Sequence, residues 1–267
     1  MRIFISIVSH RHHDVIINLG TIKTLFKYDE ITVVCRDNDP VHKLQKYCDK
    51  YGAHYIANSH EQGFSANNNA NYMHCKFELG MEEDDYFILL NPDVFITKSN
   101  ILKLIENLKE GTTNLGAANL YLDREEMVHD DNIRLYPKFS SFIKTYLLND
   151  RSTMVNRRKG LSPSKEYWAS CAFLIVKADV YNQLNGLDER YYMYCEDIDF
   201  SFRANKAGFP LRYFEDVKAV HFRRCSSKQF LSKYFFWHVQ SVFKYSFGKK
   251  QESASNSSLE YQNRYKK

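Results

Sequence analysis

Glycine and proline are scarce, at 10 and 5 of 267 residues, which excludes a collagen-like chain or a Pro/Gly-rich linker protein. No two glycines fall close enough for a GxGxxG turn, and neither a GxxxxGK[ST] loop nor a GxSxG elbow occurs. A dinucleotide dehydrogenase, a P-loop phosphotransferase and an α/β-hydrolase all lose ground on that basis. The 6 cysteines are dispersed and form no CxxC pair. That is neither a disulfide framework nor a zinc knuckle, and it fits a reducing compartment. No apolar run reaches the length of a membrane span, and the apolar start RIFISIVS is too short for a signal peptide. A cytoplasmic protein is expected, resting at most peripherally on the inner membrane.

Aromatic residues are plentiful, with 19 Tyr, 19 Phe and 2 Trp, and can serve as core or as sugar-stacking surface. Charge is unevenly placed. Arg203 to Lys267 holds 14 Lys/Arg and 4 Asp/Glu, against 23 and 28 in the rest. A basic C-terminal quarter on an acidic body suggests an anionic surface as partner. Nucleic acid is the weaker choice, because the body itself carries net negative charge.

The chain opens with a β-α-β-α-β pattern. RIFISIVS (2–9), EITVV (30–34) and Ala53 to Ala57 read as strands, with helices over 15–26 and 41–51 between them. That order predicts right-handed crossovers and a Rossmann-like, mostly parallel sheet with flanking helices. The Asn-rich stretch NSHEQGFSANNNAN leads into a helix over 66–79, and YFILL (86–90) is the clearest strand. Proline 92 stops that strand and leaves Asp93 at its carboxyl end. Residues 123–165 lack a sustained period and read as loops with a short helix or two, suited to covering a site. Glu166 to Val176 reads as one strand, Ile198 to Ala207 as a helix, and 211–214 and 218–221 as two last strands. Residues 226–247 form an amphipathic helix with interleaved lysines and aromatics, fit for a membrane surface, the protein body or a second copy in a homodimer. Residues 248–267 read as a polar, mobile tail, and 1–225 as the main domain.

Ligands of an open α/β sheet bind at the carboxyl ends of strands. Ser9, His10 and Arg11, then Asp37 and Asn38, Asn91 to Asp93, and Glu196 and Asp197 fall there. A carboxylate at Asp93 can hold a divalent cation against a diphosphate. Glu196, Asp197 and Asp199 place three carboxylates in four residues, after the aromatic run Tyr191 to Tyr194. One of them can act as a general base.

VVCRDN, NSHEQGFSANNNAN, LLNPDV and above all GLDERYYMYCEDIDFSFR, followed by AVH, resemble the family 2 glycosyltransferases of the GT-A fold. The bacterial rhamnosyltransferase-like branch of O-antigen and capsular polysaccharide synthesis is the nearest, and the likeness spans Arg2 to His221. It implies inverting transfer of rhamnose or a hexose from a nucleotide diphosphate to a growing, lipid-linked glycan. It further implies Asp197 as base with Glu196 assisting or orienting the acceptor. Ser9, Arg11, Asp37, Asn67, Asn91 and Asp93 would contact the donor, dTDP-rhamnose or a UDP-hexose. Asp93 and His221 would bind Mn²⁺ or Mg²⁺. Trp168, Tyr192 and Tyr194 would line the acceptor subsite. One departure stands out. The branch often reads H-x-x-G-x-S, and here Cys225 replaces the glycine, so Arg223 and Arg224 are expected to face the diphosphate instead. A nucleotidyltransferase, a nucleic-acid-binding protein and an inactive scaffold of the same fold are the competing readings.

Overall fold

In the computed structural model, residues 1–223, 233–248 and 252–260 are described. The elements in order are β1 (Ile3–Ser9), α1 (His13–Leu19), α2 (Thr21–Leu25), β2 (Ile31–Asp37), α3 (His42–Lys50), β3 (His54–Ala57) and α4 (Phe64–Phe77). Next come β4 (Tyr86–Leu90), β5 (Val94–Ile96), α5 (Lys98–Lys109), β6 (Leu115–Tyr121), β7 (Ile133–Leu135) and α6 (Phe139–Leu148). β8 (Tyr167–Ala169), β9 (Phe173–Lys177), α7 (Ala178–Gln183), α8 (Glu196–Lys206), β10 (Leu211–His221) and α9 (Lys233–Phe247) complete the chain.

Eight strands form one sheet in the order β3-β2-β1-β4-β9-β6-β10-β5, and β7 pairs with β8 in a small second sheet. The first half matches the parallel expectation: β1 runs parallel to both β2 and β4. The second half is mixed, because β9 enters antiparallel between β4 and β6. Every residue of β1, β4 and β6 is buried, since helices cover both faces of the sheet. The result is a GT-A-like architecture: a mixed, largely parallel sheet with flanking helices.

Three local readings are corrected. The expected helix 15–26 breaks at Gly20, whose φ of +68° closes α1 and opens α2. The single strand expected over 166–176 is two, β8 and β9, lying in different sheets. The two last strands are one, β10, with a register shift between Phe214 and Lys218. Residues 123–165 hold β7, α6 and a 3-10 turn at Arg157–Lys159, as an irregular stretch should.

The expected mobile tail takes a different course where it is described. Ala254, Ser257 and Leu259 are buried. Ser255 donates to Asp188 at 3.0 Å, and Ser258 donates through both its backbone N–H and its hydroxyl to Glu189. The two carboxylates of LDER are thus used to hold the chain's own later segment. The polar composition of residues 252–260 hid this, because serines seated on a buried and a half-buried carboxylate look like a solvated tail in sequence.

Candidate active site

Two clusters meet the carboxyl ends of the strands. The first gathers around His221, the last residue of β10. β10 pairs antiparallel with β5, setting His221 opposite Val94, and Phe222 N–H donates to the Asp93 carbonyl at 3.0 Å. That pairing brings the His221 ring to Asp93, with Nε2 3.3 Å from Asp93 Oδ1. The other ring nitrogen, Nδ1, lies 2.5 Å from Asp130 Oδ2. Asp130 also accepts from Arg223, whose guanidinium reaches Asp131 at 3.6 Å as well. Asn91 Nδ2 stands 3.5 Å from His221 Nε2.

The electrostatics follow from the packing. Burial opposes charge on the His221 ring, yet Asp130 and Asp93 outweigh it and raise its pKa to about 9. Burial works to raise Asp93 and Asp130 in turn, and His221, joined at Asp130 by Arg223, holds both carboxyls below the ordinary range.

The second cluster is at the start of α8. Tyr194 and Cys195 both adopt left-handed backbone, with φ of +72° and +65°. For residues with a Cβ that conformation costs about 1–3 kcal/mol each. The cost sets the direction from which Glu196 and Asp197 enter the helix. Glu196 is buried, and its Oε2 has no hydrogen-bond partner. Burial, then the charge of Asp197, push its carboxyl well above the usual range. Burial also lifts Asp197, to about 6, opposed by backbone N–H groups and the Arg134 guanidinium. Asp197 accepts from Ile198 N–H at 2.8 Å and keeps some solvent exposure. A carboxylate of that pKa is ionised at neutral pH and still basic enough to take a proton.

Arg134, on β7, ties the two clusters together. It pairs with Asp131 at 3.4 Å, and its charge acts on Asp130 and Asp197 alike. Asp130 and Arg134 were missed in the sequence. They lie in the stretch without periodicity, where the only signal was the acidic pair Asp130-Asp131. Arg157 is buried and holds Asn132 and the carbonyls of Leu120 and Asp130.

Other expected contacts are placed differently. Asp37 is fully buried and already accepts from Tyr55 Oη at 3.1 Å, Val41 N–H at 3.3 Å and Asp39 N–H at 3.4 Å. Asn67 is fully buried too. It donates to Asn38, Gln62 and Gly63 and accepts from Asn58. Both are held by partners within the chain, at the strand-end side of the sheet. Ser9 is buried with its Oγ unpartnered, at the strand end where a donor would lie. Arg11 is exposed and pairs with Asp39 at 2.8 Å. Trp168 is a packing residue and not an open platform. It is buried with Tyr191, Ile198 and Val242, and its indole N–H donates to the Leu135 carbonyl at 3.1 Å. Tyr192 stacks on Trp237 with centroids 4.5 Å apart, and Tyr194 meets His238 at 5.2 Å. Arg224 and Cys225 lie outside the described residues.

Asp93 and His221 offer one carboxylate and one imidazole to a cation. Among the described residues no group of three or more His, Cys, Asp or Glu converges as a metal cage. The pair still fits a divalent ion whose shell is completed by diphosphate oxygens and water, as Mg²⁺ commonly is. Asp130 on the far ring nitrogen is the usual support of a ligating histidine.

A GT-A sheet with an acid–imidazole pair and a buried carboxylate at its strand ends defines a glycosyltransferase, and the sequence comparisons agree. The chain belongs to Glycosyl transferase family 2, whose pattern matches residues 16–180. It is 32% identical over 245 residues to the rhamnosyltransferase WbbL of Escherichia coli K12, covering 91% of this chain and 92% of that one. It is 26% identical over 198 residues to the low-salt glycan biosynthesis hexosyltransferase Agl10 of Haloferax volcanii, covering 74% of this chain and 61% of the relative. In fold it resembles a mannosyltransferase from Pyrobaculum calidifontis solved with GDP-Man and Mn²⁺. The TM-score is 0.58 at 11% identity, over 94% of this chain and 65% of that one.

Proposed function

We propose that this glycosyltransferase moves L-rhamnose, or else a hexose, from a nucleotide diphosphate to a hydroxyl of a growing, lipid-linked surface glycan, with inversion at the anomeric carbon. The observation that carries the reading is Asp197: a carboxylate lifted to about 6, at the mouth of a strained turn, electrostatically linked through Arg134 to the Asp93–His221 cluster. In this mechanism Asp197 takes the proton of the acceptor hydroxyl as its oxygen attacks the anomeric carbon from the face opposite the leaving diphosphate. Glu196 orients the acceptor, its unpartnered Oε2 being placed to donate or accept one hydrogen bond. Arg134 and Arg223 offset charge gathering on the departing phosphate. Asp93 and His221 would hold Mn²⁺ or Mg²⁺, which supplies the same charge compensation when bound. Rhamnose is favoured by the 32% identity to WbbL.

The test is calorimetric titration of dTDP-rhamnose, UDP-glucose and UDP-galactose, each with Mn²⁺, Mg²⁺ or chelator. One selective, cation-dependent binder supports the reading and identifies the donor. A folded protein that binds none of them removes it.

A further inference from the structure

Helix α9 has two faces: one is buried against described residues of the body, and the other is largely exposed. On the inner face Val242 and Tyr245 are buried, Ser241 donates to the Met193 carbonyl at 2.8 Å, and Lys244 donates to the Arg190 carbonyl at 2.6 Å. This face, with Trp237 and His238, buttresses residues 190–194, the segment that leads into Asp197. α6 packs alongside, its Phe139 ring 4.8 Å from Phe247 and 5.6 Å from Phe243.

The outer face is a different surface. Phe236, Phe243 and Phe247 are 56%, 52% and 66% exposed, and α6 adds Ile143 at 44% and Leu148 at 74%. Five large apolar side chains on two adjoining helices exceed the scattered singles of an ordinary surface. Their surroundings are mostly basic, with Asp150 beside Lys144 at the end of α6 as an acid. Neither helix contains an Asp or Glu, Lys138, Lys144 and Lys233 are exposed, and the sequence from Arg223 to Lys250 holds seven Lys/Arg and no acid.

We propose that this α6–α9 face is a contact for an anionic lipid bilayer: the three phenylalanines enter the acyl boundary and the lysines meet the headgroup phosphates. α9 spans only 15 residues, and no described helix is long and apolar enough to cross a membrane, so the pair lies in the plane of the surface. Charge selects lipid over a second copy of the chain. A two-fold contact through this face would oppose Lys138, Lys144 and Lys233 to their own copies, against Asp150 at the α6 edge. The surface rests on the transferase reading only for its purpose. It places a lipid-borne acceptor beside the segment that α9 holds and that ends at Asp197.

The test is flotation of the full chain with phosphatidylcholine vesicles, with and without phosphatidylglycerol. The expected result is strong binding to the mixed vesicles and weak binding to the neutral ones. The triple variant Phe236→Ser, Phe243→Ser, Phe247→Ser should lose about tenfold or more in partitioning on both. Lys144→Glu with Lys233→Glu should reduce binding to the anionic vesicles to the neutral level. Should the triple variant fail to fold, Phe236→Ser alone and the lysine pair carry the test. Equal partitioning of all variants overturns the proposal. So does a wild-type dimer in sedimentation that the triple variant disperses while neither floats. Flotation needs no donor and calorimetry needs no lipid, so failure of this surface and failure of the transferase reading are separately visible.

Discussion

The protein contains two buried polar regions that behave oppositely in structure. One is the asparagine face of α4. Asn69 accepts from Tyr181 Oη at 2.7 Å and Leu187 N–H at 3.0 Å, and donates to the Leu187 carbonyl, Glu189 and Ser257. Asn68 and Asn71 share the Ser6 hydroxyl, which donates to the first and accepts from the second, and Asn71 also accepts from Arg36. The other region is the strand-end cluster, where Glu196 and Ser9 keep unpartnered oxygens and two residues before Glu196 have left-handed backbone. Satisfied polar groups lock neighbouring elements together, and unsatisfied or strained ones wait for something outside the chain. Polar residues, read only as letters, do not reveal which is which.

Four measurements would break or sharpen that contrast. Asp197→Asn should lower kcat by about 10²–10⁴-fold while donor affinity in calorimetry stays near wild type. Full turnover would remove Asp197 from the base role. Asn69→Ala should act the other way: it strands several buried partners and should cost about 2–4 kcal/mol in chemical denaturation, with activity per folded molecule retained. A loss of activity without loss of stability would move the α4 face into the catalytic region.

Next comes pH. Activity should fall about tenfold per unit below pH 6, as Asp197 takes up its proton, and the fall should appear in kcat/KM with saturating cation. A profile flat from pH 5 to 8 would contradict the assignment. The smallest effect concerns His221. Its folded pKa, about 9, lies above the ordinary 6.5 of an unfolded histidine, so its ion pairs stabilise fully below 6.5 and are lost as pH rises through 9. Asp93 and Asp130 are lowered, so their contribution is present above the ordinary carboxylate range and is lost as pH falls through their folded values. In chelator, His221→Gln should flatten the stability decline between pH 6.5 and 9, read by denaturant midpoint. An unchanged slope would place the linkage elsewhere.

Much of the sheet was legible, because β1, β2, β4 and their helices follow from apolar runs and breakers close in sequence. Asp93 was legible as well, since Pro92 ends its strand. Asp197 owed its role to the motif around it more than to its own position. The rest depends on contacts between distant residues. Asp130 reaches His221 only because β6 and β10 run side by side, which no local pattern records. Asp37 and Asn67 are read from the motif as donor contacts, and their hydrogen bonds also close the turns after β2 and before α4, which the letters do not record. The GLDERYYMYCEDIDFSFR motif proved partly structural. Arg203 is almost wholly buried, pairs with Asp199 at 2.8 Å, and donates to the carbonyls of Leu184 and Gly186. Removing its guanidinium would unpin the turn after α7 before it touched any substrate.

The seating of residues 252–260 on Asp188 and Glu189 also orders events during synthesis. Helix α8 leaves the ribosome well before Ser255 and Ser258 do. Until those serines emerge, the buried Asp188, paired with Arg190, and the half-buried Glu189 lack these later partners. A released chain ending at Gly248 would therefore hold every strand of the sheet and lack the contacts that fasten Asp188 and Glu189. Proteolysis of that truncated chain should find residues 187–189 more open to cleavage than in the full chain.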